Sequence, residues 1–185
     1  VVYALAASIE NDHNLENVYL SEDQGLTWRV VGPGNSNTLN ILGSSFFVGS
    51  TENYYYQGDY NNTIAVFPEN PYRILAGGVN LWEGVKVNET GYYQWAERSE
   101  GENIFPNSPI YAHVDHHTYV FRPGYGNEFL LGTDGGVFKG MVSGDFFSFK
   151  SININYTTTQ FYSVSPSLHF NEFIGGTQDN GTQHV

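Results

Sequence analysis

The chain has 185 residues, with 7 Lys+Arg against 19 Asp+Glu and a formal net charge of −12. That length is enough for one domain with a real core, and so acidic a surface repels phosphate backbones and anionic lipid, which disfavours nucleic-acid and membrane-surface partners. Apolar runs are strand-sized and none reaches the ~18 residues of a membrane helix, while the absence of cysteine excludes disulfides and thiol chemistry without fixing a compartment.

Aromatic residues make up 16% of the chain and Gly numbers 21. Aromatic and β-branched runs punctuated by Gly, Asn and Pro point to an all-β fold. In chain order, strand-like runs fall at 1–10, 17–24 and 26–32. Residues 33–62 fit poorly: they are Gly-, Ser- and Asn-rich with a Tyr triplet at 54–56, and read as a long loop or inserted hairpin. Four runs follow at 63–70, 71–80, 81–89 and 92–100, and four more at 116–124, 127–135, 136–144 and 145–153. The last two, 159–167 and 171–178, bring the chain close to its end. No stretch has sustained helical periodicity.

An Asn–aromatic–apolar–Gly pattern recurs from Asn70 ("NPYRILAGG"), Asn127 ("NEFLLGTDGG") and Asn171 ("NEFIGGTQDNG"). The spacing from Asn127 to Asn171 is close to the ~40–50 residues of a four-stranded propeller blade, and the preceding interval fits a blade with an insertion. The expected fold is therefore a β-propeller of four-stranded antiparallel blades, about two complete and two partial, with residues 1–185 forming part of a single propeller. The open ends of the pattern suggest a fragment, whose remaining blades would lie in a longer chain.

"SEDQGLTW" (Ser21–Trp28) sits at the tip of the first hairpin. Ser and Asp side chains accept hydrogen bonds from turn amides, Gly tolerates the tight turn, and Trp is expected to pack its ring between neighbouring strands. Ser21, Asp23, Gly25 and Trp28 thus read as a structural set with no part in catalysis. Weakened copies keep Gly91 with Trp95, and Gly144 with Phe149.

In such a blade the connections from the fourth strand to the next blade's first, and from second to third, share one end. That end collects "AHVDHH", "TDGG", the link Thr157–Gln160 and "TQDNG". The candidate ligand-binding face is accordingly His113, His116, His117, Asp134, Gln160, Gln178 and Asp179, with Asp115 as the candidate catalytic carboxylate. Strand alternation would place His113, Asp115 and His117 on one side and His116 on the other. Three readings of the His–Asp cluster stay open. It could be a metal site of two His and a carboxylate, a catalytic carboxylate oriented by a His, or a hydrogen-bonded network tying strand to loops. Adjacent strand positions rarely close a coordination sphere, so no metal or other cofactor is expected. "TDGG" and "TQDNG" also read as simple turns. A hydrolytic role would require Asp115, Asp134 and Asp179 to line one cleft at a carboxyl separation suited to glycoside cleavage.

Ser21-x-Asp23-x-Gly25-x-x-Trp28 resembles the Asp-box, or bacterial neuraminidase repeat. The stretch from His113 to Thr182 resembles secreted Asp-box β-propellers of bacteria, related to xyloglucanase-like glycoside hydrolases and to sortilin-like propellers. The resemblance implies a secreted or cell-surface protein that binds an extracellular carbohydrate or protein; alternatives are a glycoside hydrolase using Asp115 and an interaction scaffold in a secretion or adhesion assembly. A sialidase is disfavoured: Arg29, Arg73, Arg98 and Arg122 do not fit an arginine triad, and two of them fall on outer strands. Sequons at Asn61, Asn88, Asn155 and Asn180 are adequately explained by chance.

Overall fold

The computed structural model describes residues 1–184 except 11, 35–38, 40, 44–55, 88, 90, 102–106, 157, 169–170 and 180. Its elements are strands: β1 (Val2–Ala7), β2 (Leu15–Ser21), β3 (Arg29–Val30), β4 (Thr63–Phe67), β5 (Asn70–Gly77), β6 (Leu81–Lys86), β7 (Tyr93–Glu97), β8 (His116–Arg122), β9 (Tyr125–Thr133), β10 (Gly136–Ser143), β11 (Phe146–Ser151), β12 (Phe161–Pro166), β13 (Phe173–Thr177) and β14 (Thr182–His184). They form four antiparallel sheets in chain order: I (β1-β2-β3), II (β4-β5-β6-β7), III (β8-β9-β10-β11) and IV (β12-β13-β14). The protein is all-β, and among the described residues no helix is long and apolar enough to cross a membrane. Residues Val1–Ile152 and Asn153–Val185 are two compact units.

In the first unit, sheet II lies between sheets I and III. Ile74, Leu75 and Ala76 are consecutive and all fully buried, which a strand with one wet face cannot achieve. Successive side chains point to opposite faces. Ile74, Ala76, Trp82, Tyr93 and Trp95 pack with Leu15, Val18 and Leu20 of sheet I and with Val31, just after β3. Phe67, Leu75 and Leu81 pack with Tyr119, Phe129, Leu131, Phe138 and Phe147 of sheet III. Strand β4 lies beside both β1 and β8. Burying one such side chain contributes roughly 1.5–3 kcal/mol, so two apolar interfaces hold the three sheets together.

A charged cluster is built into the II–III interface. Glu83 of β6 is 1% exposed and receives Arg73 Nε on one carboxylate oxygen at 2.5 Å and Arg98 Nη2 on the other at 2.6 Å. The Arg73 guanidinium lies 4.3 Å from the Phe67 ring centroid and also donates to the Gly144 carbonyl at 3.0 Å. The Arg98 guanidinium lies 5.3 Å from the Phe147 centroid. The ion pairs lie within sheet II, while Arg73 reaches sheet III through the Gly144 carbonyl and Arg98 through its stacking on Phe147.

In its strands and the 33–62 segment, the structure departs from the sequence expectations in three places. Strand β3 has only two residues where seven were expected, because local hydrogen bonds of the preceding turn extend through Thr27. The chain does not stop at the second strand of its last sheet: Thr182–His184 pairs with β13 as a short third strand. Within 33–62, Ile41 and Leu42 are fully buried in the I–II core and Gly43 bridges Tyr56, so the segment contributes core as well as connection. Tyr54 and Tyr55 lie outside the described residues.

Replacing Glu83 by Gln should destabilise the protein by about 3–5 kcal/mol, since two cations would lose their shared buried partner. Arg122→Ala, at the exposed Arg122–Glu128 pair, should cost no more than about 1 kcal/mol. Urea unfolding midpoints of the two variants at equal slope provide the check.

Candidate functional site

In the first unit, the connections sort to two ends of the sheet stack. At one end, the β2–β3 hairpin meets the start of β5, where the Tyr72 hydroxyl donates to Glu22 Oε1 at 2.7 Å, and the β6–β7 connection, where Arg29 donates to the Gly91 carbonyl at 3.0 Å. The hairpin is self-contained. Ser21 Oγ donates to Asp23 Oδ1 at 2.8 Å and accepts the Gly25 amide at 2.8 Å; Asp23 accepts the Thr27 amide at 2.9 Å and the Thr27 hydroxyl at 2.5 Å. Gly25 adopts φ 93°, which a side chain would resist. These donors hold the Asp23 carboxyl down at about 2. Trp28 corrects its expectation: it is 45% exposed, and its Nε1 donates to the Gly25 carbonyl at 3.1 Å. Its ring covers its own turn and does not lie between strands.

The other end gathers the links that enter β4 and β8 and the β5–β6 and β9–β10 turns. The segment before β8 is hooked onto sheet II, with the Asp115 amide on the Val79 carbonyl at 3.0 Å and the His116 amide on Gly78 at 2.8 Å. The Asp134 amide then donates to the Asp115 carbonyl at 3.2 Å, which brings the β9–β10 turn against that segment. His113 lies over this turn, and a Cβ on Gly135 would collide with its ring; glycine is what permits the approach.

Two carboxylates meet here under the control of a third segment. Tyr60 and Asn61 are placed by a turn in which both amides donate to the Gln57 carbonyl, at 2.9 and 2.8 Å. The Tyr60 hydroxyl donates to Asp134, 2.9 Å from Oδ2 and 3.1 Å from Oδ1. His117 Nε2 lies 2.6 Å from Asp134 Oδ1, and its ring meets Tyr60 edge-on at 5.1 Å. The buried Asn61 donates through Nδ2 to Asp115 Oδ1 at 2.7 Å and to Gln57 Oε1 at 2.9 Å. Burial, and next the Asp134 charge, push the Asp115 carboxyl above its ordinary value. Asp115 also holds φ 63°, so the expected alternation through 113–117 is broken there.

Of the expected residues, His113, Asp115, His117 and Asp134 do come together. His116 does not reach a solvent-facing surface: it is fully buried, with Nδ1 2.8 Å from the Tyr119 hydroxyl. Burial lowers its pKa to about 3, keeping the ring neutral. Gln160, Gln178 and Asp179 belong to the second unit and form a group of their own: the Gln178 amide donates to the Gln160 carbonyl at 2.9 Å, Tyr162 hydroxyl contacts Gln178 Oε1, and Gln178 Nε2 donates to Asp179 at 3.0 Å. Thr157 lies outside the described residues. Sequence reasoning missed Tyr60, Asn61 and Gln57, which sit in the segment read as a loop. The signal available was a cluster of amides and a Tyr immediately before β4. Among the described residues no group of three or more His, Asp and Glu is placed to hold a metal ion.

No known protein family, curated protein or solved structure matches this chain. The site must therefore be read from its own geometry.

Asp115→Asn should raise the thermal midpoint at pH 7. A folded-state pKa above the ordinary 3.8 means that the carboxyl's favourable contribution exists at low pH and is lost as pH rises. The gain from the amide should therefore vanish below about pH 4. His116 has the opposite sign. Its depressed value means that stability is full above about 6.5 and falls as pH drops toward 3, by up to about 1.4 kcal/mol per pH unit. His116→Gln should flatten that slope in a pH series of unfolding curves.

Proposed function

We propose that the chain is part of a secreted or cell-surface Asp-box β-propeller that binds an extracellular ligand, a carbohydrate or a protein, at the end carrying Asp115 and Asp134. The propeller reading is supported by consecutive antiparallel meanders, by the face-to-face packing of sheets I–II and II–III, and by β4 lying beside β1 and β8. The Asp-box reading is supported by the closed hydrogen-bond set of Ser21, Asp23 and Gly25. The secreted location rests on the resemblance of His113–Thr182 to bacterial secreted propellers.

One observation carries the ligand reading. Two carboxylates from separate connections are held side by side, one of them at an electrostatic cost, by side chains from a third connection. A perturbed, partly exposed carboxylate beside a second one supports the site reading. Binding of native protein to immobilised extracellular glycans and proteins should fall at least tenfold in Asp134→Asn and stay unchanged in Asp23→Ala, at the opposite end of the stack. Retention by Asp134→Asn with loss in Asp23→Ala would place the ligand at the wrong end and end this reading.

The raised Asp115 carboxyl favours a second reading, a glycoside hydrolase in which Asp115 serves as proton donor. Release of reducing sugar from xyloglucan, lost by ~100-fold or more in Asp115→Asn, would select it over binding alone.

A further inference from the structure

The carboxylates of this end are its acceptors. Asp134 accepts from Tyr60 and lies in contact with His117, and Asp115 accepts from Asn61. Both protons of the Asn61 amide are spent on acceptors, Gln57 and Asp115, which fixes which way round the amide lies. Its Oδ1 is consequently left buried with no partner. Asn61 itself is 0% exposed, and an orphaned buried acceptor is costly. The amide lies directly against Asp115.

The charge balance is equally one-sided. Of the seven Lys and Arg, Arg29 pairs with Glu22, Arg73 and Arg98 with Glu83, and Arg122 and Lys139 with Glu128. Lys86 lies over the Tyr72 ring, and Lys150 stands opposite Lys139 on β11. The basic side chains acting on Asp115 are the histidines His113 and His117, with no Lys or Arg among them. The whole chain carries −12, which attracts cations at long range. Tyr60, 56% exposed, adds an aromatic surface beside the carboxylates.

Resting on the reading that this end binds a ligand, we propose that its anchoring group is the guanidinium or ammonium of an Arg or Lys side chain on a partner protein. Such groups carry donors and no acceptors, which matches a site offering acceptors. They bring the missing positive charge, and they stack on Tyr rings. A sugar hydroxyl needs donors and acceptors in comparable number, and an anionic group would be repelled.

The test is a titration of the full 185-residue chain with N-acetyl-arginine methylamide and with its neutral isostere N-acetyl-citrulline methylamide, followed by NMR of the His117 imidazole and Tyr60 ring signals. The arginine probe should give saturable shifts at both residues, weakened by salt, with at least tenfold poorer response to the citrulline probe. Asp134→Asn should weaken arginine binding at least fivefold, whereas Asp145→Asn, which removes the same charge on the β10–β11 turn, should not. Equal response to citrulline, or equal loss in Asp145→Asn, would overturn the proposal. A cello- or xyloglucan oligosaccharide that shifts His117 and Tyr60 while arginine does not would overturn it and leave the ligand-site reading standing. Silence of both residues toward arginine, citrulline and oligosaccharide alike would remove the cation proposal, and silence toward the glycan and protein panel as well would remove the ligand site.

Discussion

Sheet II has no wet face, and the arrangement of the first unit depends on that. A four-stranded sheet wetted on one side alternates apolar and polar residues; β5 instead buries Ile74, Leu75 and Ala76 in succession. Each strand must then serve two interfaces at once, so its side chains alternate between neighbours rather than between core and solvent. The same constraint explains Glu83. A charge on the III-facing side of β6 cannot reach water directly, and it is tolerated because Arg73 and Arg98 reach it from the rim with their guanidinium groups against Phe67 and Phe147. Buried pairs of this kind contribute little net stability over a well-packed apolar replacement, yet breaking one is costly. What the cluster adds is register: Arg73 links β5 both to β6 and to the Gly144 turn of sheet III.

The sheets were legible in the sequence because their signals are local. Runs such as "TYVFR" and "EFLLG" carry β-branched and aromatic residues, and the Asn–aromatic–Gly recurrence marks where each strand pair turns. The Ser21–Trp28 hairpin was legible for the same reason, since most of its hydrogen bonds span four residues or fewer. Trp28 was misplaced because burial depends on what lies across the hairpin, which no local rule reports. Ile41 and Leu42 were missed because two apolar residues in a Gly-, Ser- and Asn-rich segment make no periodic pattern, though a fixed sheet interface can absorb them.

The candidate site was half legible. "AHVDHH" and "TDGG" announced His113, Asp115, His117 and Asp134 by composition. Their meeting depends on backbone bonds between segments far apart in the chain, such as Asp134 to Asp115 and His116 to Gly78. Tyr60 and Asn61 lie more than fifty positions from their partners, beyond any spacing rule. His116 shows the limit of reading a cluster by type alone: three histidines in five residues look equivalent, but one is the neutral interior partner of Tyr119.

Asp23 and Asp115 make the functional contrast in a single residue type. Both occupy tight connections at the ends of the sheet stack. Asp23 is surrounded by donors, its carboxyl is held near 2, and ionisation stabilises its turn. Asp115 has one amide donor on Oδ1, a second carboxylate nearby, and burial that penalises its charge. It also takes a left-handed backbone, φ 63°, a conformation that sites retain when the surroundings over-determine it. Turn formation alone explains Asp23 completely and leaves Asp115 unexplained, because an asparagine would fill the same turn without the charge. A carboxylate kept where it weakens the fold needs a compensating interaction, and the first unit supplies none from its own Lys or Arg. Within the first unit that interaction comes only from Asn61 and from the neighbouring His113 and His117, and the proposed cation would add to it from outside.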